Sequence, residues 1–310
     1  MRFSIIIIHR NNYKNLRDLV ESIVYSMNDK DEIIVIDNNS SDNSIQKLKK
    51  STLNKKISKI IENKCNAGYG YSCNQGMKIA RGTYFLLCNN DIKLKKETLD
   101  KFHRLLESSK NIGLIGPQMI SPTGKKMRSY SSIRPSIFTQ LDLIGRPFIE
   151  KSIKKFSKVE ILRGACLAVN SLLVKEIGCY DEDFYFYHEE TEWCMRINES
   201  KKWKVMFAPE IEISHVGGAS TSTVYAKSRI EFIRSRLIFW SKVFPKYQVL
   251  ILYSWNIPKL FIDSFFYFIA TIFTFGLNKT FRKKTTDRFI VILWFLSGMP
   301  KGWGLPNKCN

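Results

Sequence analysis

Four short clusters of polar side chains contain residue types that could bind a cation or take part in catalysis. Three of them follow apolar runs directly: residues 9–11 (HRN) follow FSIIII, residues 37–41 (DNNSS) follow IIVI, and residues 89–91 (NND) follow TYFLLC. The fourth is the acidic run HEETE at residues 188–192. Oxygen ligands of this kind suit Mg²⁺ or Mn²⁺, and a carboxylate beside a hydroxyl can remove its proton. The clusters therefore offer cation binding and general-base chemistry.

Alternating strands and helices are predicted to position these clusters. Apolar runs indicate buried strands at residues 3–8, 32–37, 56–61 and 83–88, with helices between them at 13–25, 41–50 and 71–80. Ser41 or Asp42 is expected to cap the second helix. A second region, 114–205, mixes short strands, including one at 161–170, with a helix at 189–199. Because ligands bind at the carboxyl ends of parallel strands, the first three clusters should converge on one sheet edge.

Five motifs in this order resemble the inverting glycosyltransferases of family 2. They are IIVIDNNSSD (33–42), ENKCNAGYGYSCNQGM (62–77), ARGTYFLLCNND (80–91), YDEDFYFYHEETEWCMR (180–196) and ISHVGGAS (213–220). Within that family the chain is most similar to rhamnosyltransferase-like bacterial enzymes of surface polysaccharide assembly. The resemblance implies the α/β GT-A fold, a Rossmann-like nucleotide-binding mixed sheet flanked by helices. We expect this domain at residues 1–220 and a basic, aromatic helical region at 221–310.

The resemblance also assigns roles in donor binding. Asp37 is expected to accept a hydrogen bond from a pyrimidine N–H, and Asp91 and His215 to bind Mn²⁺ or Mg²⁺ together with the donor diphosphate. The family has a DxD-type motif where this chain has NND, so the metal contact should fall mainly on Asp91. The further nucleotide-sugar contacts are predicted at His9, Asn66, Gly68, Asn74, Asn89, Asn90, Arg128 and Gly164. Outside these motifs, an aspartate before a turn, an Asn-rich turn and a lone histidine are more often structural.

Glu190 is the predicted general base, because it matches the second acid of the family's acidic motif. Inversion requires one carboxylate to take the proton of the acceptor hydroxyl during attack on the anomeric carbon. Glu189 is the alternative base, and both acids would also suit a solvated first helical turn. With an ordinary glutamate pKa of about 4.3, the base would be ionised at neutral pH.

The last third of the chain is dense in basic and aromatic residues. Residues 216–310 contain 14 Lys and Arg against 3 Asp and Glu, and 20 of the 40 aromatic residues, in a chain of net charge +21. Their longest uncharged run, 264–278, has 15 residues, fewer than the roughly 20 that span a bilayer. We expect helices that lie on an anionic membrane, with Arg282, Lys283, Lys284 and Arg288 towards the lipid. A helical subdomain packed on the core, or a homo-oligomer interface, would also fit.

The compartment is predicted from the first residues and the cysteines. The apolar run at residues 5–8 is shorter than the roughly 7–15 residues of a signal-peptide core. We therefore expect a cytoplasmic protein, peripheral on the inner face of the cell membrane. The seven cysteines are scattered without a CxxC pair, so they are expected to be reduced thiols, mostly in the core.

The implied activity is metal-dependent, inverting transfer of one sugar from a nucleotide sugar to a lipid-diphosphate-linked saccharide in O-antigen or capsule synthesis. Rhamnose from dTDP-rhamnose is the first candidate, and a UDP-hexose or UDP-N-acetylhexosamine is the alternative. Nucleic acid is not an expected partner, because the basic residues lie among aromatic runs without a recognition motif. A non-catalytic nucleotide-sugar-binding adaptor at the membrane is the rival class, against which the presence of both Asp91 and Glu190 argues.

Overall fold

The computed structural model describes residues 1–141, 152–217, 225–305 and 308–309. The strands are β1 (Phe3–His9), β2 (Glu32–Asp37), β3 (Lys59–Glu62), β4 (Tyr84–Asn89), β5 (Ile92–Lys93), β6 (Ile112–Ile120), β7 (Tyr130–Ser131), β8 (Ser157–Lys158), β9 (Ile161–Leu162), β10 (Cys166–Asn170) and β11 (Lys204–His215). The helices are α1 (Tyr13–Ser26), α2 (Ser44–Lys50), α3 (Tyr69–Ile79), α4 (Thr98–Glu107), α5 (Ile137–Leu141), α6 (Ser171–Ile177), α7 (Glu189–Glu199), α8 (Tyr225–Val243), α9 (Lys246–Phe273) and α10 (Lys279–Leu296), with a 3₁₀ helix at Thr52–Lys56.

The main sheet is mixed, with the strand order β3-β2-β1-β4-β10-β6-β11-β5, and β8 pairs with β11. The first four strands are parallel, whereas β10 runs antiparallel to both of its neighbours, β4 and β6. Strands β7 and β9 form a small separate ladder. The predicted mixed sheet flanked by helices is confirmed.

The central strands β1, β2 and β4 are buried on both faces of the sheet. In β1, Ile5 and Ile7 belong to a core cluster with Leu16 of α1, whereas Ile6 belongs to a second cluster with Trp193 of α7. Successive strand side chains point to opposite faces, so an unbroken run of isoleucines can serve both layers. Buried on both sides, β1 places the residues that follow it at a fixed edge.

Three predicted elements differ in the structure. Helix α2 starts at Ser44 with Asn43 as its N-cap, because Asp42 accepts the backbone N–H groups of Asn12 and Ser44 (2.6 and 3.1 Å) instead of capping later turns. Residues 52–56 form the 3₁₀ helix, which delays β3 to Lys59. The strand predicted at 161–170 is interrupted by a turn at Gly164, so β9 and β10 join different ladders.

The C-terminal helices pack on the sheet domain through α8. Phe239 and Trp240 of α8 are fully buried in the second core cluster. The domain boundary predicted at residue 220 lies outside the described residues. Helix α9 is long and apolar enough to cross a membrane by length and composition, and its most apolar 18-residue segment contains no buried residue.

One disulfide corrects the prediction that all seven cysteines are reduced. Cys65, in the loop after β3, is bonded to Cys309 across 244 residues of sequence. Sequence spacing could not reveal this pair, because only the folded chain brings residue 309 back to that loop. The other five cysteines are free, and Cys73, Cys88, Cys166 and Cys194 are buried as expected.

Candidate active site

Three predicted clusters meet where neighbouring strands end. In the sheet register His9 lies opposite Asp37, and Asn89 lies opposite Ile8. The carboxyl ends of β1, β2 and β4 therefore share one edge, which confirms the predicted convergence.

His9 is fully buried and braces the loop after β4. Its Nε2 lies 2.7 Å from Ser44 Oγ, and its Nδ1 lies 2.9 Å from Nδ2 of Asn90. The same Asn90 amide donates to the Asn11 carbonyl at 3.0 Å, so His9 Nδ1 is the acceptor and its Nε2–H donates to Ser44. Burial lowers the pKa of His9 to about 4, which keeps the ring neutral at pH 7. His9 thus positions Asn90 and the adjoining Asp91.

Asp37 is 4% exposed at the end of β2. Its carboxylate accepts the backbone N–H of Ser40 at 3.1 Å and also the Ser40 hydroxyl. Burial raises the pKa of Asp37, while these hydrogen bonds lower it. The turn-capping role is therefore present, and contact with a nucleotide base stays a prediction.

The loop before α3 closes the side of the edge next to β2. Asn38 holds it, since Oδ1 accepts the Ala67 N–H at 2.9 Å and Nδ2 donates to the Gly68 carbonyl at 3.1 Å. Gly68 has a φ of 90°, and a Cβ there would lie 2.3 Å from the Tyr185 carbonyl oxygen. Only glycine therefore fits at the tip of this loop.

Asn66 and Asn74, both predicted to contact the nucleotide sugar, make contacts within the protein. The Asn66 carbonyl accepts the Cys309 N–H at 3.3 Å, which places the C-terminal residues against the loop. The Asn74 amide donates to the Tyr180 carbonyl and to Glu182 Oε1, both at 2.9 Å, and accepts the Tyr180 N–H at 3.1 Å. Asn74 therefore positions the segment that leads to α7.

Asp91 and His215 lie side by side. His215 Nε2 is 3.3 Å from Asp91 Oδ1, and the Val216 N–H donates to the Asp91 carbonyl at 3.1 Å. Asp91 Oδ1 and His215 Nδ1 are both buried without a hydrogen bond. Among the described residues no group of three His, Cys, Asp or Glu could hold a metal ion. The pair fits a cation whose remaining ligands are diphosphate oxygens and water.

The turn at Gly164 and Ala165 connects the edge of the sheet to α7. The Ala165 carbonyl accepts the Asn89 N–H at 3.0 Å, and the Gly164 carbonyl accepts the Tyr69 hydroxyl at 2.7 Å. A Cβ on Gly164 would lie 3.6 Å from Cβ of Glu190. One turn therefore contacts both the residue that begins NND and the predicted base.

The two carboxylates of α7 follow a strained backbone. Tyr187 and His188 have φ values of 73° and 67°, a conformation that costs non-glycine residues about 1–3 kcal/mol each. Glu189 is 4% exposed, packs against Gly70 of α3, and leaves Oε2 buried without a hydrogen bond. Glu189 is therefore not part of a solvated helical turn.

Burial raises the pKa of both carboxylates, so the expectation of an ordinary value is wrong. The charge of Glu190 raises the pKa of Glu189 further, whereas Arg163 opposes the rise at Glu190. Arg163 therefore favours the ionised form of Glu190. The choice of Glu190 over Glu189 as base stays a prediction.

Arg128 lies at a cavity that the sequence did not predict. The cavity measures about 430 Å³, and Arg163, Arg229 and Arg236 line it with Arg128. Arg128 and Arg163 come from separate parts of the chain, whereas Arg229 and Arg236 both belong to α8. Only the i,i+7 relation of Arg229 and Arg236 could have signalled a shared helix face.

The C-terminal residues contribute a second unpredicted feature. Lys308 pairs with Glu231, which is fully buried, and its ammonium lies 4.6 Å from the centre of the Tyr185 ring. Together with the disulfide at Cys309, this contact fastens the end of the chain beside Gly68.

Comparison with known proteins places this geometry in a family. The sequence profile of glycosyl transferase family 2 matches residues 4–170. A low-salt glycan biosynthesis hexosyltransferase of Haloferax volcanii is 23% identical over 86% of this chain and 87% of its own length. A poly(ribitol-phosphate) beta-N-acetylglucosaminyltransferase of Staphylococcus aureus is 26% identical over 72% of this chain and 38% of its own length.

Two solved structures share the fold. A mannosyltransferase from Pyrobaculum calidifontis in complex with GDP-mannose and Mn²⁺ superimposes with a TM-score of 0.56 and 14% identity, over 96% of this chain and 87% of that one. GalNAc-T7 with UDP, GalNAc and Mn²⁺ gives a TM-score of 0.55 and 15% identity, over 69% of this chain and 43% of that one. The fold is therefore the predicted GT-A fold.

Proposed function

The chain belongs to glycosyl transferase family 2, and on that premise we propose that it transfers one sugar, with inversion, from a nucleotide sugar to a lipid-diphosphate-linked saccharide. The family makes the protein a glycosyltransferase. The observation that carries the finer proposal is the turn at Gly164 and Ala165. It contacts both Asn89, which begins the predicted diphosphate-binding loop, and Glu190, so donor and base would meet there.

Glu190 is proposed to take the proton of the acceptor hydroxyl as that oxygen attacks the anomeric carbon. The carbon–oxygen bond to the diphosphate breaks on the opposite face, and the nucleoside diphosphate leaves. Burial and the neighbouring charge of Glu190 raise the pKa of Glu189, which favours its protonated form. Arg163 favours the ionised form of Glu190, which is the form that can accept a proton.

Asp91 and His215 are the residues proposed to hold a divalent cation with the donor diphosphate. Their buried atoms without hydrogen bonds support this assignment, and both fold neighbours described above contain Mn²⁺. When bound, such a cation offsets the negative charge of the leaving diphosphate. His9 and Asn90 hold the loop that contains Asp91 in place through their hydrogen bond.

The donor proposed first is dTDP-rhamnose, because the motifs resemble rhamnosyltransferase-like enzymes. A UDP-hexose or UDP-N-acetylhexosamine is the competing class. The Haloferax volcanii relative is named as a hexosyltransferase, and the fold neighbours contain UDP or GDP-mannose. With either donor, Asp37 is proposed to accept a hydrogen bond from the pyrimidine ring of the nucleotide.

The acceptor is proposed to be presented at the inner face of the cell membrane. Helices α9 and α10 expose large apolar side chains, including Phe265, Phe266, Phe273 and Phe289, each at least 60% exposed. Arg282 and Lys283 are exposed beside them, whereas Lys284 and Arg288 pack over the Tyr267 ring. Apolar and cationic groups exposed together suit an anionic lipid surface. The acceptor would then belong to cell-surface polysaccharide synthesis.

Nucleotide binding tests the proposal directly. Isothermal calorimetry with dTDP, UDP and GDP and their sugars, with Mn²⁺ and again in EDTA, should give one preferred nucleotide whose affinity falls on chelation. Asp91→Asn should lose the Mn²⁺ dependence. Absence of binding by every nucleotide in Mn²⁺ would refute the proposed function, and equal affinity in EDTA would refute the cation site.

A further inference from the structure

The cavity beside α7 is strongly cationic. Its walls come from the segment around β7, from β9 and α7, and from α8, and they include Arg128, Arg163, Arg229 and Arg236. Among the described residues no aspartate or glutamate lines it. Its volume of about 430 Å³ lies within the usual range for a small-molecule site. The cavity therefore has the charge and the size to take an anionic substrate.

This cavity adjoins the proposed base. His188 and Thr191, which flank the Glu189–Glu190 pair, both belong to its wall. Arg163 belongs to the wall as well and interacts electrostatically with Glu190. A ligand in this cavity would therefore have one end next to the carboxylate that needs an acceptor hydroxyl.

A second cavity of about 200 Å³ lies among α8, α9 and α10. Arg229 and Arg236 line both cavities, so these two residues lie where the cavities adjoin. The other walls of the second cavity are largely apolar, with Ile233, Leu237, Trp240, Ile257, Leu260 and Phe295. Two arginines thus lie between the cavity beside α7 and a largely apolar cavity among the C-terminal helices.

The charges on α9 face this second cavity. Lys259 and Asp263 interrupt the apolar sequence of α9, and both line the cavity. Asp287 of α10 also interacts electrostatically with Arg229 and offsets part of its charge. Among the described residues that line the two cavities, five are cationic and Asp263 is the single carboxylate. Walls of this composition suit an anionic ligand.

We propose that the two cavities form one acceptor channel, in which Arg229 and Arg236 bind the diphosphate of the lipid-linked acceptor. The lipid chain runs between α8, α9 and α10, and the saccharide reaches Glu190 through the larger cavity. Guanidinium groups bind phosphate oxygens through paired, charge-assisted hydrogen bonds, and apolar walls suit an isoprenoid chain. This inference rests on the proposed function, because it names the site of the proposed acceptor.

Binding of simple probes to the full chain in detergent micelles tests the channel. Farnesyl diphosphate, inorganic pyrophosphate and farnesol are titrated in EDTA, so that a cation at Asp91 does not contribute. Farnesyl diphosphate should bind most tightly, since it alone fills both parts of the channel. Equal affinity for pyrophosphate would indicate an anion site only, and equal affinity for farnesol an apolar groove only; either result overturns the proposal.

Matched variants identify the residues. Arg229→Gln should weaken farnesyl diphosphate binding by roughly tenfold or more. Arg282→Gln, an exposed arginine of α10, is the control and should bind like the wild type. Arg236 also packs over the Trp240 ring at 4.8 Å, so if Arg236→Gln does not fold, Arg229→Gln alone decides. Wild-type affinity in Arg229→Gln would overturn the assignment.

A kinetic measurement separates this inference from the proposed function. With a lipid-linked acceptor, Arg229→Gln should raise the acceptor KM and leave the donor KM unchanged. If the wild type binds no nucleotide, the proposed glycosyl transfer is refuted, whereas the binding of farnesyl diphosphate is a separate result that this outcome does not change. An unchanged acceptor KM in an active Arg229→Gln enzyme would refute only the channel.

Discussion

Glu189→Gln should make the stability of the protein less sensitive to pH. Glu189 is buried and its pKa is raised by that burial and by Glu190. The folded protein therefore keeps a proton that the unfolded chain releases at about pH 4.3. Stability from this group is complete below that pH and falls as the pH rises towards the pKa of the folded state.

The size of the effect follows from linkage. While Glu189 stays protonated in the folded state, each pH unit above about 4.3 costs about 1.36 kcal/mol. Between about pH 5 and about pH 7 the wild type should lose up to about 2.7 kcal/mol, or roughly 5 °C in Tm. Glutamine imitates the protonated acid, so the variant should lack this part of the loss.

Thermal melts of both proteins across this pH range supply the measurement. The glutamine amide lacks a partner near the position of Oε2, which adds a cost that does not vary with pH; only the slopes are compared. Glu97→Gln, whose side chain is 70% exposed, is the control and should keep the wild-type slope. Parallel slopes for the wild type and Glu189→Gln would refute the buried, protonated state.

Two further variants test other parts of the site. Arg163→Gln removes the cation that lowers the pKa of Glu190, so the acid limb of the kcat/KM profile should move to higher pH; an unmoved limb would show that Glu190 does not govern it. Gly68→Ala should abolish nucleotide binding or lower the Tm strongly, because its Cβ would lie 2.3 Å from the Tyr185 carbonyl oxygen. Gly124→Ala is the control, since Gly124 has a positive φ of 82° but a Cβ there would have no neighbour within 4 Å. This control should lose only the backbone strain of about 1–2 kcal/mol in stability. Equal melting temperatures for the two glycine variants would contradict the tight packing of the loop.

The edge of the sheet could be predicted because its signals are local. Apolar runs fix β1, β2 and β4, and parallel pairing then places His9, Asp37 and Asn89 together. The strand predicted at 161–170 is interrupted at Gly164. The turn there accepts the Asn89 N–H and lies against Glu190. Both are tertiary contacts, which the apolar pattern does not record.

The electrostatics could not be predicted from residue types. Glu189 belongs to an acidic run that is typical of a solvated helix start, yet it is buried against Gly70 of α3. Both ring nitrogens of His9 brace the loop after β4, a role that its residue type did not indicate, and its contact with the nucleotide sugar stays a prediction. These roles depend on which side chains close over each residue after folding.

The last third of the chain was predicted in composition but not in arrangement. The uncharged run counted in the sequence begins after Asp263. In the folded helix, however, Lys259 and Asp263 both line the second cavity. The outer face of α9 is therefore more continuously apolar than the sequence count indicates. The disulfide at Cys309 and the cluster of Arg229 and Arg236 with Arg163 depend on the return of distant segments to the site.

Sugar transfer to a lipid-linked acceptor by Glu190→Gln, with nucleotide binding recorded on the same sample, separates proton removal by Glu190 from donor binding. We expect binding to persist while transfer falls by roughly 10²–10⁴-fold, because glutamine keeps the shape of the side chain but cannot accept the proton. Glu189→Gln should lose much less. Near-normal turnover in Glu190→Gln would show that Glu190 is not the base, and if Glu189→Gln were inactive at the same time, the base would be Glu189.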